Sequence, residues 1–174
     1  MNLTATTVLI GFGNPGRCDD GLGPALVDAV STLGLPGLTT ESDYQLTVED
    51  ADLVAHHEVA VFADADVSCR EPFRFHRIQP GPSARFSSHA VEAPEVMALA
   101  QQLFGATTRA YALGIRGYRF NAYDERISPE ARRNLDAAVR FIEHVIRNRS
   151  FEEALTDTSE PSARGLAANN EDMK

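Results

Sequence analysis

The sequence predicts a single three-layer α/β domain, in which a twisted and mostly parallel sheet is covered by helices on both faces. Three observations predict it. Short runs of apolar and β-branched residues alternate along the chain with segments whose apolar residues recur at helical spacing. The first run passes directly into a glycine-rich turn, Gly11-Phe12-Gly13-Asn14-Pro15-Gly16, which is followed by a helical segment. Acidic residues also punctuate the first three runs: Asp20 follows the first, Asp43 ends the second and Asp64 ends the third. If those strands are neighbours, the three carboxylates converge on one crevice beyond the strand ends, where open α/β sheets bind ligands.

Residues 6–13 read as a buried strand, and Leu22, Leu26, Ala29, Val30 and Leu33 place a helix over 22–33. A second strand lies near 38–45, and Thr47 caps a short helix that runs to about residue 57. Val59-Ala60-Val61-Phe62-Ala63 is the third strand, stopping at Asp64-Ala65-Asp66. Phe73 and Phe75 alternate with Arg74 and His76, which predicts a half-exposed edge strand. Pro80, Gly81 and Pro82 mark a linker. Pro94 suits a helix's first turn, with Val96, Leu99, Ala100, Leu103 and Phe104 as its apolar face. A strand over 109–119 follows. Ser128-Pro129-Glu130 opens the last helix, which buries Leu135, Ala138, Val139, Ile142, Val145 and Ile146. The domain is expected to span 1–156. Residues 157–174, rich in Ser, Asn, Glu and Ala, are expected to form a disordered tail.

At 174 residues and 43% hydrophobic content the chain suffices for one well-buried core and is short for two domains. A net charge of −9 works against a footprint on nucleic acid or an anionic membrane. Two cysteines, no charged-then-apolar leader and no apolar run near the ~20 residues of a membrane span lead us to expect a cytoplasmic protein with free Cys18 and Cys69.

Gly11 and Gly13 allow close backbone approach, Pro15-Gly16 forces a turn, and Asp19 and Asp20 are expected to be presented together above the strand end. Two carboxylates on separate strand ends and one imidazole from a nearby loop would make a nitrogen and oxygen site for a divalent transition metal with room for substrate. Asp20, Asp64 and His89, the last in Phe86-Ser87-Ser88-His89-Ala90, fit that description. Taken singly, each has an ordinary alternative: a helix-capping acid, a turn former and a solvated loop histidine. Their conjunction favours a site. His56 and His57 suit a helix end, His76 and His144 solvent-facing positions, and Cys18 an ordinary thiol without a paired histidine. The glycine turn also matches the dinucleotide pattern G-x-G-x-x-G. Pro15-Gly16 interrupts the phosphate turn, however, and Asp19-Asp20 would repel a pyrophosphate.

Gly11-Phe12-Gly13-Asn14-Pro15 with Asp19-Asp20-Gly21-Leu22-Gly23, then Asp64-Ala65, then His89 resembles the [NiFe]-hydrogenase maturation endopeptidases over residues 6 to about 146. The resemblance implies a phosphorylase/hydrolase-like fold and a protease that removes a C-terminal extension from the precursor of the hydrogenase large subunit. Asp20, Asp64 and His89 are then its catalytic and metal-binding residues. Nickel, already inserted in the precursor and contributed by it, serves as the recognition handle. A monomer is expected. Asp43-Tyr44-Gln45-Leu46-Thr47-Val48-Glu49-Asp50 replaces the glycine-rich segment often found after the second strand, and Asp43 is a further candidate substrate contact. Gly114, Arg116, Gly117 and Arg119 fall in a segment that can overhang the crevice or simply carry surface charge. Two other readings remain: a peptidyl-tRNA hydrolase, whose opening the glycine turn also resembles, and a non-proteolytic, nickel-dependent chaperone. The first departs where the chain reads Cys18-Asp19-Asp20-Gly21.

Overall fold

A computed structural model describes residues 6–82 and 91–156. His89 and the expected tail at 157–174 lie outside the described residues. The elements are β1 (Thr7–Phe12), α1 (Leu22–Ser31), β2 (Leu38–Asp43), α2 (Asp50–Ala55), β3 (Val59–Asp66), β4 (Phe73–Ile78), α3 (Ala93–Phe104), β5 (Arg109–Arg116) and α4 (Pro129–Asn148). They build one five-stranded sheet in the order β2-β1-β3-β5-β4. All pairings are parallel except that of β4, which runs antiparallel to β5 at one edge, where the Phe73 and Phe75 alternation predicted an edge strand.

Alternate residues of each strand face opposite helical layers. Leu9, Val61, Leu113 and Ile115 pack with Leu22, Leu26 and Val30 of α1 and Leu135, Ala138 and Ile142 of α4. On the other face, Val8, Ile10, Ala60 and Phe62 pack with Ala51 and Val54 of α2 and Val96, Met97 and Ala100 of α3. This is the predicted three-layer arrangement. Helix ends follow local chemistry: Ser128 accepts from Ala131 N at 3.3 Å before α4, and a reciprocal Glu92–Glu95 capping box opens α3.

Several local expectations are corrected. Leu103 and Phe104 are 67% and 50% exposed, not buried, because twelve-residue α3 outruns the six-residue α2 beside it. Thr47 does not cap a helix; its backbone N–H and hydroxyl both donate to the Asp50 carboxylate, and α2 starts at Asp50. His76 is half-buried, with Nδ1 enclosed and without a partner among the described residues, because β4 turns it toward the face on which Ile78 is buried. β3 does not stop at Asp64. Pairing with β5 continues through Asp66 opposite Arg116, although pairing with β1 ends at Ala63 opposite Gly11. The last predicted strand ends at Arg116 rather than at residue 119. Beyond α4, Phe151 is buried on Tyr111, and Thr156 exchanges backbone and hydroxyl hydrogen bonds with Phe75.

Candidate functional site

The chain leaves β1 for β2 on one side and then crosses to β3 on the other, which creates a topological switch point between β1 and β3. Asp64 is the first β3 residue past the end of the β1 pairing. Asp20 arrives from the β1 side, through the turn that follows Phe12. In that turn Asn14 Oδ1 accepts from Gly16 N at 2.8 Å and Asn14 O from Arg17 N at 3.0 Å. A short 3-10 turn, Cys18–Gly21, then leads into α1.

The Asp20 backbone carbonyl and the Asp64 carboxylate both stand over Gly13. Its φ is +135°, and a Cβ there would stand 2.0 Å from Asp20 O and 3.8 Å from Asp64 Oδ1. Only glycine fits. Gly11 and Gly23 let α1 sit against β1 and β3: a Cβ on Gly23 would approach Phe12 O to 2.4 Å and Ala63 O to 2.5 Å.

Asp20 is half-buried and its Oδ2 accepts from Asn14 N at 3.0 Å. The Asn14 N–H of the glycine turn is therefore engaged by the chain's own carboxylate. Asp64 Oδ1 accepts from Ala65 N at 2.7 Å. Burial pushes the Asp64 carboxyl up to about 7, helped by the charges of Asp20 and Asp66 and opposed by the Ala65 hydrogen bond.

Asp19 and Asp20 are not presented together. Asp19 is fully buried, and its carboxylate accepts from Ser128 N (2.7 Å), Ser128 Oγ (2.8 Å), Tyr118 N (2.8 Å) and Arg119 N (2.9 Å). Burial acts to raise its pKa, but these donors outweigh it and hold the carboxyl below the usual range. Asp19 thus ties the 117–128 loop and the start of α4 to the turn that carries Asp20. Sequence reasoning missed this role. A pair of adjacent acids in a tight turn hints that one faces inward, but the donors lie about a hundred positions away.

Asp43 reaches the same edge, opposite Phe12. Its carboxylate accepts from Tyr44 N at 2.6 Å and its carbonyl from Gly13 N at 3.1 Å; no described hydrogen bond joins it to Asp20 or Asp64. Among the described residues no group of three or more His, Cys, Asp and Glu side chains gathers as a metal site. His89, the third predicted member, lies outside them.

Cys18 and Cys69 are free. Cys18 is fully buried with its thiol toward Ala122 O, and burial and Asp66 push the Cys69 thiol up to about 11. Cys18 lacks the exposure of a nucleophile, and Cys69 lacks the ready ionisation. His56 and His57 direct Nδ1 at the α2 carbonyls of Asp52 and Leu53, as a helix-end role predicts, and His144 is exposed on α4. Among the described residues no helix is long and apolar enough to cross a membrane.

The fold, an open and mostly parallel sheet with a switch point between β1 and β3, is that of solved [NiFe] hydrogenase maturation proteases. The chain superposes on HycI from Thermococcus kodakarensis with a TM-score of 0.67 and 17% identity, covering 84% of this chain and 96% of that one. HybD from Escherichia coli gives a TM-score of 0.70 and 16% identity, with coverages of 83% and 93%. The endopeptidase HycI from Escherichia coli gives 0.60 and 19%, with coverages of 80% and 90%. No protein-family model and no curated protein sequence matches the chain.

Proposed function

We propose that the protein is an endopeptidase that removes a C-terminal extension from the precursor of a [NiFe]-hydrogenase large subunit after nickel insertion. The observation that carries this reading is that the Asp20 turn and the Asp64 carboxylate are brought to Gly13, with the Asp20 charge acting on Asp64, at the switch point of a sheet with the maturation-protease fold. Nickel belongs to the substrate. The donor set suits it: one oxygen of each carboxylate is fixed by a backbone N–H, leaving Asp20 Oδ1 and Asp64 Oδ2 without a donor among the described residues. With an imidazole such as that of His89 they would make an incomplete nitrogen and oxygen set for substrate ligands to complete. A metal so held supplies Lewis acidity for peptide hydrolysis, and no serine or cysteine nucleophile is needed.

The chain's own residues hold and orient. Asn14 N and Ala65 N aim the two carboxylates, and Gly13 leaves room for the Asp20 backbone beside the Asp64 carboxylate. Asp64 must lose its proton to ligate, so precursor binding strengthens as pH rises toward 7.

The test is the intact mass of purified precursor after incubation with wild-type protein and with Asp20→Ala, Asp64→Ala or His89→Ala. The wild type should shorten the precursor, and each variant should slow this at least a hundredfold while remaining folded. Normal processing by the His89 variant would remove it from the site. A stable complex with an unshortened precursor would make the wild-type protein a chaperone instead.

A further inference from the structure

Every backbone N–H from Gly13 to Asp20 already has an acceptor. Gly13 N donates to Asp43 O at 3.1 Å, Asn14 N to Asp20 Oδ2 at 3.0 Å, Gly16 N to Asn14 Oδ1 at 2.8 Å and Arg17 N to Asn14 O at 3.0 Å. Cys18, Asp19 and Asp20 donate to the carbonyls of Asp124, Arg119 and Arg17, and Pro15 has no N–H. On the β3 side of the site, Ala65 N is taken by Asp64 Oδ1. Peptide hydrolysis develops negative charge on the carbonyl oxygen, and this turn has no main-chain donor left to meet it.

The donor that is left belongs to Asn14. Because its Oδ1 accepts from Gly16 N, the two ends of the amide are distinguished: Nδ2, which cannot accept, stands at the other end. Nδ2 has no acceptor among the described residues, and Asn14 is half-buried with its own main-chain N–H on the Asp20 carboxylate. Turn formation asks only for the oxygen, which Asp or Ser would supply equally. What the amide adds is a neutral pair of N–H donors on the residue that aims Asp20. Arg17, the other side chain of this turn with N–H donors, is exposed and sends Nη2 toward Phe120 O at 3.4 Å.

We infer that Asn14 is a catalytic residue whose side-chain amide donates to the carbonyl oxygen of the peptide bond that is cut. This rests on the reading of the chain as a processing endopeptidase. In that reaction a water oxygen bonds to the carbonyl carbon, and the π electron pair moves onto the carbonyl oxygen. The carbonyl re-forms as the C–N bond breaks; one water proton passes to the leaving nitrogen and the other stays with the carboxyl product. Asn14 transfers no proton. Its hydrogen bond strengthens as the charge on oxygen grows, so it acts on the rate at saturation rather than on binding.

The test compares wild type, Asn14→Asp and Asn14→Ser, with purified nickel-loaded large-subunit precursor as probe. Binding is followed by interferometry, the rate at saturating precursor by intact mass, and folding by thermal melting. Asn14→Asp keeps an acceptor for Gly16 N and removes both N–H groups. Asn14→Ser keeps an acceptor without adding charge, and its hydroxyl is too short to stand where Nδ2 stands. Each variant should lower the rate at saturation about a hundredfold or more. Asn14→Ser should also keep the dissociation constant within about twofold of wild type and leave the melting temperature unchanged. If wild type cuts and Asn14→Ser cuts at the same saturated rate, or if its loss falls on binding or melting with that rate kept, Asn14 is a turn former alone. The inference is then overturned while the protease reading stands. A wild-type protein that binds the precursor and never cuts it overturns the protease reading and this inference with it.

Discussion

Asp19 and Asp20 are adjacent and chemically identical, yet one is a structural anchor and the other a candidate ligand. The difference lies in their donors: among the described residues Asp19 receives four hydrogen bonds in full burial, whereas Asp20 receives one, from Asn14, and is half-buried. Asn at position 19 cannot accept through its nitrogen and leaves at least one buried donor unpaired. Asp19→Asn should cost about 2 kcal/mol or more at neutral pH. Since the folded pKa of Asp19 lies below the ordinary 3.8, its contribution is present above about pH 4 and is lost as pH falls through the folded value. The variant should therefore also lose part of the acid limb of the stability profile, as denaturant titrations between pH 2 and 7 would show.

Asp64 has the opposite sign. Its folded pKa near 7 means that the folded state holds a proton which the unfolded state has released, so this group makes stability fall as pH rises from about 4 to about 7. Above that window the ionised carboxylate opposes folding by at most about 4 kcal/mol. Asp64→Asn should accordingly raise the melting temperature of the free protein at pH 8 while abolishing processing. An unchanged or lower melting temperature at pH 8 would show that Asp64 is not a destabilising charge held for function.

At the scale of elements, alternating strand and helix periodicity was legible because each element's apolar pattern is local. The edge position of β4 could be read from Phe73 and Phe75, and the capped start of α4 from Ser128-Pro129-Glu130. What the local pattern did not contain was pairing. β3 extends past Asp64 because β5 offers Gly114, Ile115 and Arg116 in register, and nothing in 59–66 announces that partner. Leu103 and Phe104 kept helical spacing but lost burial for lack of a neighbour. The site shows the same division: Asp20 and Asp64 were marked by strand ends, whereas the Asp19, Tyr118 and Ser128 network joins segments whose proximity only the fold creates. The segment after α4 is likewise long-range, since Phe151 stacks 5.4 Å from Tyr111 and Glu152 Oε1 accepts from the Tyr111 hydroxyl at 2.6 Å and from Arg77 at 2.9 Å. Truncation after Thr156 should leave the melting curve and processing intact. Truncation after Ser150 should cost roughly 3–5 kcal/mol, as removal of a buried aromatic does.

For the whole molecule, strand order gathers three separate chain segments at one edge of the sheet. The order β2-β1-β3 brings Asp43, the Asp20 turn and Asp64 to one edge, and α1 packs against β1 closely enough that the turn between them has little freedom. Two carboxylates and one imidazole make a weak site on their own. Calorimetric titration of nickel into the free protein should therefore give weak or undetectable binding, and chelator treatment should leave the fold intact, unlike a domain built around a structural metal. The central claim is that substrate nickel triggers a cut, and the most direct measurement is the intact mass of large-subunit precursor incubated with the protein in nickel-loaded and nickel-free forms. The account predicts shortening of the nickel-loaded precursor alone. Equal shortening of both forms, or a bound but uncut nickel-loaded precursor, would contradict it.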